Sequence, residues 1–135
     1  MTKTRILWIN DNRDSHTYVV GRLLEEYDTE IYMPDNNADA LRLAQDGWDI
    51  AFYDMGMDEG NGIHNMPVAS RLRELLGDAV FVGVSMDTSA YTDFTEYFDE
   101  IEDSVHFLSP YRFVDFAKKH GIVIEKRDKV IARRT

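Results

Sequence analysis

Residues 48–63 read WDIAFYDMGMDEGNGI. The run 49–53 (DIAFY) is short, apolar and rich in side chains that suit a buried strand, and it ends at one carboxylate, Asp54. A glycine-rich loop follows. From about residue 65, Met66, Ala69, Leu72 and Leu76 recur at helical spacing, and Gly77 closes that helix. The unit is strand, loop, helix, with an acid where the strand ends.

The same alternation extends in both directions. Towards the N-terminus, residues 5–10 (RILWIN) form a buried-strand candidate ending at polar residues. Residues 13–27 then place Val19, Val20, Leu23, Leu24 and Tyr27 on a helical stripe. Residues 29–33 (TEIYM) alternate like a strand that Pro34 stops, and Asn36 or Asn37 can cap the next helix, whose stripe is Ala38, Leu41 and Ala44. Gly47 ends it. Towards the C-terminus, residues 79–84 (AVFVGV) predict the fourth strand. Residues 89–101 predict a fourth helix carrying Tyr91, Phe94, Tyr97, Phe98 and Ile101, a stripe read mainly as core. Residues 105–108 (VHFL) predict the fifth strand, and Phe113, Phe116 and Ala117 a last helix. The sequence beyond Gly121, IVIEKRDKVIARR, fits either a short extra strand or a hairpin.

Strict alternation of strands and helices implies a parallel sheet covered on both faces. Five units in 135 residues suit a flavodoxin-like α/β domain with strand order 2-1-3-4-5. Residues 1–121 form that expected domain, with 122–135 a basic extension. Residues 118–135 carry seven Lys/Arg and two Asp/Glu, against a net charge of −10 for the whole chain. Such an acidic body argues against general nucleic-acid binding. No cysteine is present, which excludes disulfides and thiolate chemistry. Neither a signal-peptide pattern nor an apolar run of spanning length occurs, so the expected location is the cytoplasm, with no membrane association.

Ligands of such sheets bind beyond the carboxyl ends of the strands. There the sequence places Asn10, Asp11 and Asn12, then Asp54, then Ser85 and Asp87, then Ser109 and Pro110. Asp11 and Asp54 would face one crevice, about 6 Å apart or closer, which suits magnesium as a hard cation. A carboxylate can also attack phosphorus. Asp11 can equally serve as the N-cap of the first helix. The four histidines, His16, His64, His106 and His120, lack metal-ligand spacing and read as surface or packing residues. The first strand is followed neither by the Asp-x-Asp of a carboxylate phosphatase nor by the glycine turn of a dinucleotide site. It also lacks the Ser/Thr/Gly-rich loop of a flavin phosphate site.

Together these segments resemble the receiver domains of bacterial response regulators, the CheY-like family, over roughly residues 4–120. RILWINDN resembles the first strand, which usually ends in two acids. Asp54, Gly62 and Ile63 keep the family's spacing of acceptor, glycine eight residues on, and aliphatic residue. VGVS resembles the fourth strand with its terminal hydroxyl, here Ser85, and HFLSPYRF the fifth strand with its Lys-Pro-Phe motif. The resemblance implies that Asp54 accepts a phosphoryl group from a histidine kinase. It implies magnesium held by Asp11, Asp54 and the Gly56 carbonyl, Ser85 bonded to the phosphoryl group, and His106 in place of the aromatic switch residue. It also implies a cis Ser109–Pro110 bond.

Three positions depart from the family. Asn10 replaces the first acid, Ser109 replaces the lysine, and the loop proline near Asp58 is missing. Losing the lysine removes a fixed cation that would stabilise the phosphoryl oxygens. The expectation is therefore an atypical, stand-alone receiver-like module that signals by protein–protein contact. It is not an enzyme beyond self-phosphotransfer onto Asp54, and it binds magnesium weakly. The alternative is a phosphorylatable receiver of a two-component system. The expected partner is a histidine kinase or signalling target. A homodimer is also expected, formed through the fourth helix, fifth strand and last helix. Acidic residues there (Asp93, Glu96, Asp99, Glu100, Glu102, Asp103) would meet Arg112, Lys118 and Lys119 of a second copy.

Overall fold

A computed structural model of the chain describes residues 3–10, 13–55, 57, 62–85, 96–103 and 109–127. Five strands, β1 (Thr4–Ile9), β2 (Thr29–Tyr32), β3 (Ile50–Asp54), β4 (Val80–Ser85) and β5 (Glu100–Asp103), form one sheet in the order β2-β1-β3-β4-β5. Every pairing is parallel. The helices are α1 (Arg13–Glu26), α2 (Asn37–Leu43), α3 (Gly62–Leu76) and α4 (Pro110–Lys119), with a 3-10 turn at Ala44–Asp46. This is the expected flavodoxin-like architecture.

The central strands bury both faces, so their alternation sorts side chains into two cores. Ile6, Trp8, Ile50, Phe52, Val82 and Val84 pack with Val19, Val20 and Leu23 of α1 and Phe113, Phe116 and Ala117 of α4. Leu7, Ile9, Ala51, Tyr53 and Phe81 pack with Ala40 of α2, Ala69, Leu72 and Leu76 of α3, and Phe98. On the first face Trp8 lies 5.1 Å from both Phe52 and Phe113, centroid to centroid. Each such ring contributes roughly 1.5–3 kcal/mol by burial. On the second face Phe98 crowds Gly83: an added Cβ would stand 3.2 Å from its ring.

The caps follow the sequence. Asn36 accepts from the Asp39 amide at 2.8 Å and starts α2. Gly47 and Gly77, with φ of 83° and 61°, end the turn after α2 and the helix α3. Beyond Gly121 the chain folds back. The Asp28 amide donates to the Glu125 carbonyl, the Arg127 amide to the Glu26 carbonyl, and Lys126 bridges Tyr27 antiparallel. Ile124 is buried in the α1/α4 core.

Two expectations are corrected. The strand paired with β4 is Glu100–Asp103, and residues 105–108, where the fifth strand was expected, lie outside the described part. The helix expected over 89–101 does not reach 101. Glu96 and Tyr97 form a 3-10 turn, and residues 86–95 lie outside the described part. The reason is physical. An edge strand needs little apolar surface, and charged side chains on it block further pairing. Here Asp99 accepts from the Phe81 amide at 2.8 Å and donates its own amide to the Phe81 carbonyl, which docks EIED onto β4.

Candidate functional site at the carboxyl ends of the strands

Asp54 ends β3 in register with Val84, and Ser85 ends β4 in register with Asp103. Asn10 follows β1, and its amide donates to the Pro34 carbonyl at 3.2 Å. These strand ends are therefore adjacent, as the topology requires. Asp54 is half-buried and shares a narrow crevice with Trp8, Ile9, Asn10, His16, Phe52 and Val84. A larger hollow of about 420 Å³ lies at the other end of the sheet, lined by Lys3, Asp28, Asp49 and Glu125 among others, away from all of these groups.

The carboxamide of Asn10 is buried and hydrogen-bonded to Nε2 of His16 at 3.0 Å. His16 is itself buried, edge-on to Trp8 with ring centroids 5.5 Å apart. Burial lowers its pKa below the ordinary 6.5, so the ring is neutral at pH 7. Its other nitrogen, Nδ1, has no hydrogen-bond partner among the described residues. Sequence reading left His16 among surface or packing residues. The available signal was its place on the apolar stripe of α1, three, four and seven residues before Val19, Val20 and Leu23.

The start of the β3–α3 loop is fixed from below. Asn65 of α3 donates to the carbonyls of Met55 (2.9 Å) and Met57 (3.0 Å) and accepts from Asn37 (3.0 Å). The Tyr53 hydroxyl donates to Asn37 at 2.8 Å. This buried polar chain, also absent from the sequence reading, satisfies two carbonyls that flank Gly56 in sequence.

Ser109 is the N-cap of α4 with extended backbone, and its hydroxyl makes no capping bond. The Ser109–Pro110 peptide is trans, which corrects the cis expectation. Its conformation suits proline at the first helical position. Asp11, Gly56 and His106 lie outside the described residues, as does the expected approach of Asp11 to Asp54. Among the described residues no group of three or more His, Cys, Asp or Glu could hold a metal ion. There Asp54 offers a carboxylate and Asn10 an amide engaged by an imidazole. Asp54 supplies one of the one or two carboxylates that magnesium usually takes, and the other expected ligands, Asp11 and the Gly56 carbonyl, lie outside the described residues. Among the described residues, no helix is long and apolar enough to cross a membrane.

Solved structures supply the comparison. A CheY-like receiver domain from Methanospirillum hungatei superposes with a TM-score of 0.72 at 14% identity, over 88% of this chain and 94% of that one. A response regulator from Thermotoga maritima, in complex with Mg2+–BeF, gives 0.64 at 23% identity, over 87% and 96%. One from Burkholderia pseudomallei, with a phosphorylated aspartic acid, calcium ion and citrate, gives 0.63 at 15%, over 87% and 73%. The chain thus has the fold of CheY-like response-regulator receiver domains. No protein-family model matches it. No curated protein matches it either.

Proposed function

We propose that this chain is an atypical receiver-like signalling module that acts through protein–protein contact, with Asp54 phosphorylated weakly at most. One observation carries the reading. Among the described residues, the crevice beside Asp54 is lined with neutral groups, and its buried polar pair is Asn10 with His16. Phosphoryl transfer to a carboxylate depends on cations placed around the developing charge, and among the described residues this lining supplies none. Ser109, where the resemblance calls for lysine, adds no cation either. Asp54, Ser85 and Ser109 keep the acceptor, hydroxyl and helix-start positions of a receiver, so the scaffold serves as a binding surface.

The contact surface we assign to the partner runs along β5 and α4. Part of its charge is already matched within the chain: Glu100 pairs with Lys119 at 3.3 Å and His120 at 2.9 Å. Exposed pairs of this kind contribute only about 0–1 kcal/mol each. Apolar contact must therefore supply most of the affinity for a second copy or another protein.

Incubating the chain with Mg2+ and acetyl phosphate, followed by intact mass, tests the reading. Slow and incomplete labelling is expected, rising in Ser109→Lys. Rapid, stoichiometric labelling of the natural chain, abolished in Asp54→Asn, would establish the alternative of a phosphorylatable two-component receiver.

A further inference from the structure

We propose that the first turn of α2 is a second responsive surface of this module, tied to position 54 by the hydrogen-bond chain Tyr53–Asn37–Asn65. The inference goes beyond the functional reading above: it needs neither phosphorylation of Asp54 nor a cation. Two observations carry it. The first is the path of the chain. The Tyr53 hydroxyl donates to Asn37 at 2.8 Å, Asn37 donates to Asn65 at 3.0 Å, and Asn65 donates to the Met55 and Met57 carbonyls at 2.9 and 3.0 Å. The chain therefore leaves β3 on one side of Asp54 and returns on the other. The second observation is burial. Tyr53 and Asn65 are buried and Asn37 is half-buried, so the chain runs from the interior to the surface.

The donor directions are forced. Carbonyls only accept, so both hydrogens of the Asn65 amide must face Met55 and Met57. Its oxygen then faces Asn37, which must donate, and the oxygen of Asn37 takes the Tyr53 hydroxyl. Turning over either amide would set like groups against each other and leave buried groups unpaired. Both ends are also held. The side chains of Tyr53, Met55 and Met57 are fully buried in the second core. Asn37 opens α2 directly after its N-cap, where Asn36 accepts from the Asp39 amide at 2.8 Å. Little slack is left. A backbone shift at Asp54 moves the Tyr53 ring or the Met55 carbonyl, and the chain either carries it to Asn37 or breaks. Breaking leaves two buried carbonyls without donors, so the shift is carried to α2.

Amide 1H–15N spectra of the natural chain and Asp54→Asn test this. Asp54→Asn should shift the amides of Ala38, Asp39 and Ala40 more than those of Val19 and Val20, whose side chains pack against the opposite face of the sheet. Asn37→Ala cuts the chain at its surface end, at a position where alanine favours the helix. In that background Asp54→Asn should no longer move Asp39 and Ala40. Asn65→Leu cuts it from inside and should have the same result. If Asn65→Leu fails to fold, Asn37→Ala decides alone. A measurement on the natural chain stands independent of any variant. Both Nδ2 protons of Asn65 should exchange with water at least about tenfold more slowly than those of half-buried Asn36.

The inference is overturned if Asp54→Asn leaves the first turn of α2 unmoved, or moves it equally with and without Asn37. It is overturned equally if the Asn65 amide protons exchange as fast as those of Asn36. Its failure is distinguishable from that of the functional reading. Rapid acetyl phosphate labelling of the natural chain would remove that reading and leave the α2 response standing. An unresponsive α2 would remove the coupling and leave weak labelling standing.

Discussion

The two ends of the sheet solve the same problem differently. At the amino ends of the strands, Arg5 is held by several partners at once. Its Nη1 donates to the carbonyls of Asp46 and Gly47, its Nε reaches Glu30 at 3.3 Å, and its guanidinium lies 4.3 Å above the Trp48 ring. Its backbone amide donates to Asp49 at 2.8 Å, and Trp48 donates its own N–H to Leu43. At the carboxyl ends, the buried His16 bonds once to a neutral amide, and its Nδ1 has no partner among the described residues. At both ends most described polar groups are satisfied, at the carboxyl end by Asn65 on the Met55 and Met57 carbonyls, and the described exception is one buried nitrogen of His16.

The contrast breaks most directly at Arg5. Arg5→Met keeps an apolar stem over Trp48 but removes the charge-assisted bonds that join β1 to the turn before β3. A loss of about 2 kcal/mol is expected, since hydrogen bonds to charged groups are worth roughly 1.5–3 kcal/mol and the site is partly exposed. Urea unfolding at pH 7 measures it. A loss below about 0.5 kcal/mol, the scale of an ordinary surface substitution, would mean the amino end is not the anchor.

His16→Leu sharpens the comparison from the other end. Leucine relieves the unpartnered Nδ1 but also breaks the bond to the buried Asn10 amide, so the two effects oppose and the net change should stay within about 1 kcal/mol of zero. The pH dependence is more diagnostic. Burial depresses the folded-state pKa of His16, so above its ordinary value of 6.5 the ring is neutral whether the chain is folded or not. As pH falls below 6.5 the unfolded chain takes up a proton that the folded chain refuses. The natural protein should lose stability from pH 6.5 downwards, until pH passes the folded-state pKa. Thermal melts between pH 7.5 and 5.5 should show that slope in the natural chain and a smaller one in the variant. Equal slopes would remove His16 as its source.

How much of this was legible in the sequence depends on burial. β1, β3 and β4 are buried on both faces, so RILWIN, DIAFY and AVFVGV stand out as apolar runs, and the acid, amide and hydroxyl at their ends could be placed from topology alone. β5 was not legible, because an edge strand under a helix needs one inward residue, Ile101, and the rest of EIED is charged. The apolar VHFL outcompeted it. Asn10 was read as a missing acid, but nothing in its own residue type announces the histidine that holds it. That bond joins a strand end to the first helix, and only the packing of α1 brings the two together. The Asn37–Asn65–Tyr53 chain was hidden for the same reason: its members come from three separate elements.

The smallest expected effect lies at the sheet edge, where β5 meets α4. Burial, the largest influence on Glu100, pushes its pKa up, but hydrogen bonds with Glu102, His120 and Lys119 outweigh it and hold the carboxyl below its ordinary 4.5. A carboxyl with a depressed folded-state pKa stabilises the fold above the unfolded value and loses that contribution as pH falls through the folded one. Glu100→Gln should therefore cost about 0.5–1 kcal/mol at pH 7, as expected for a partly exposed ion-pair network. The gap between natural chain and variant should persist at pH 5 and close as pH drops below 4.5. Urea midpoints at pH 7, 5 and 3.5 trace it. A gap that stays constant through pH 3.5 would assign the role of Glu100 to packing rather than charge. The β5–α4 edge would then resemble neither end of the sheet, its ion pairs contributing nothing to holding the last helix in place.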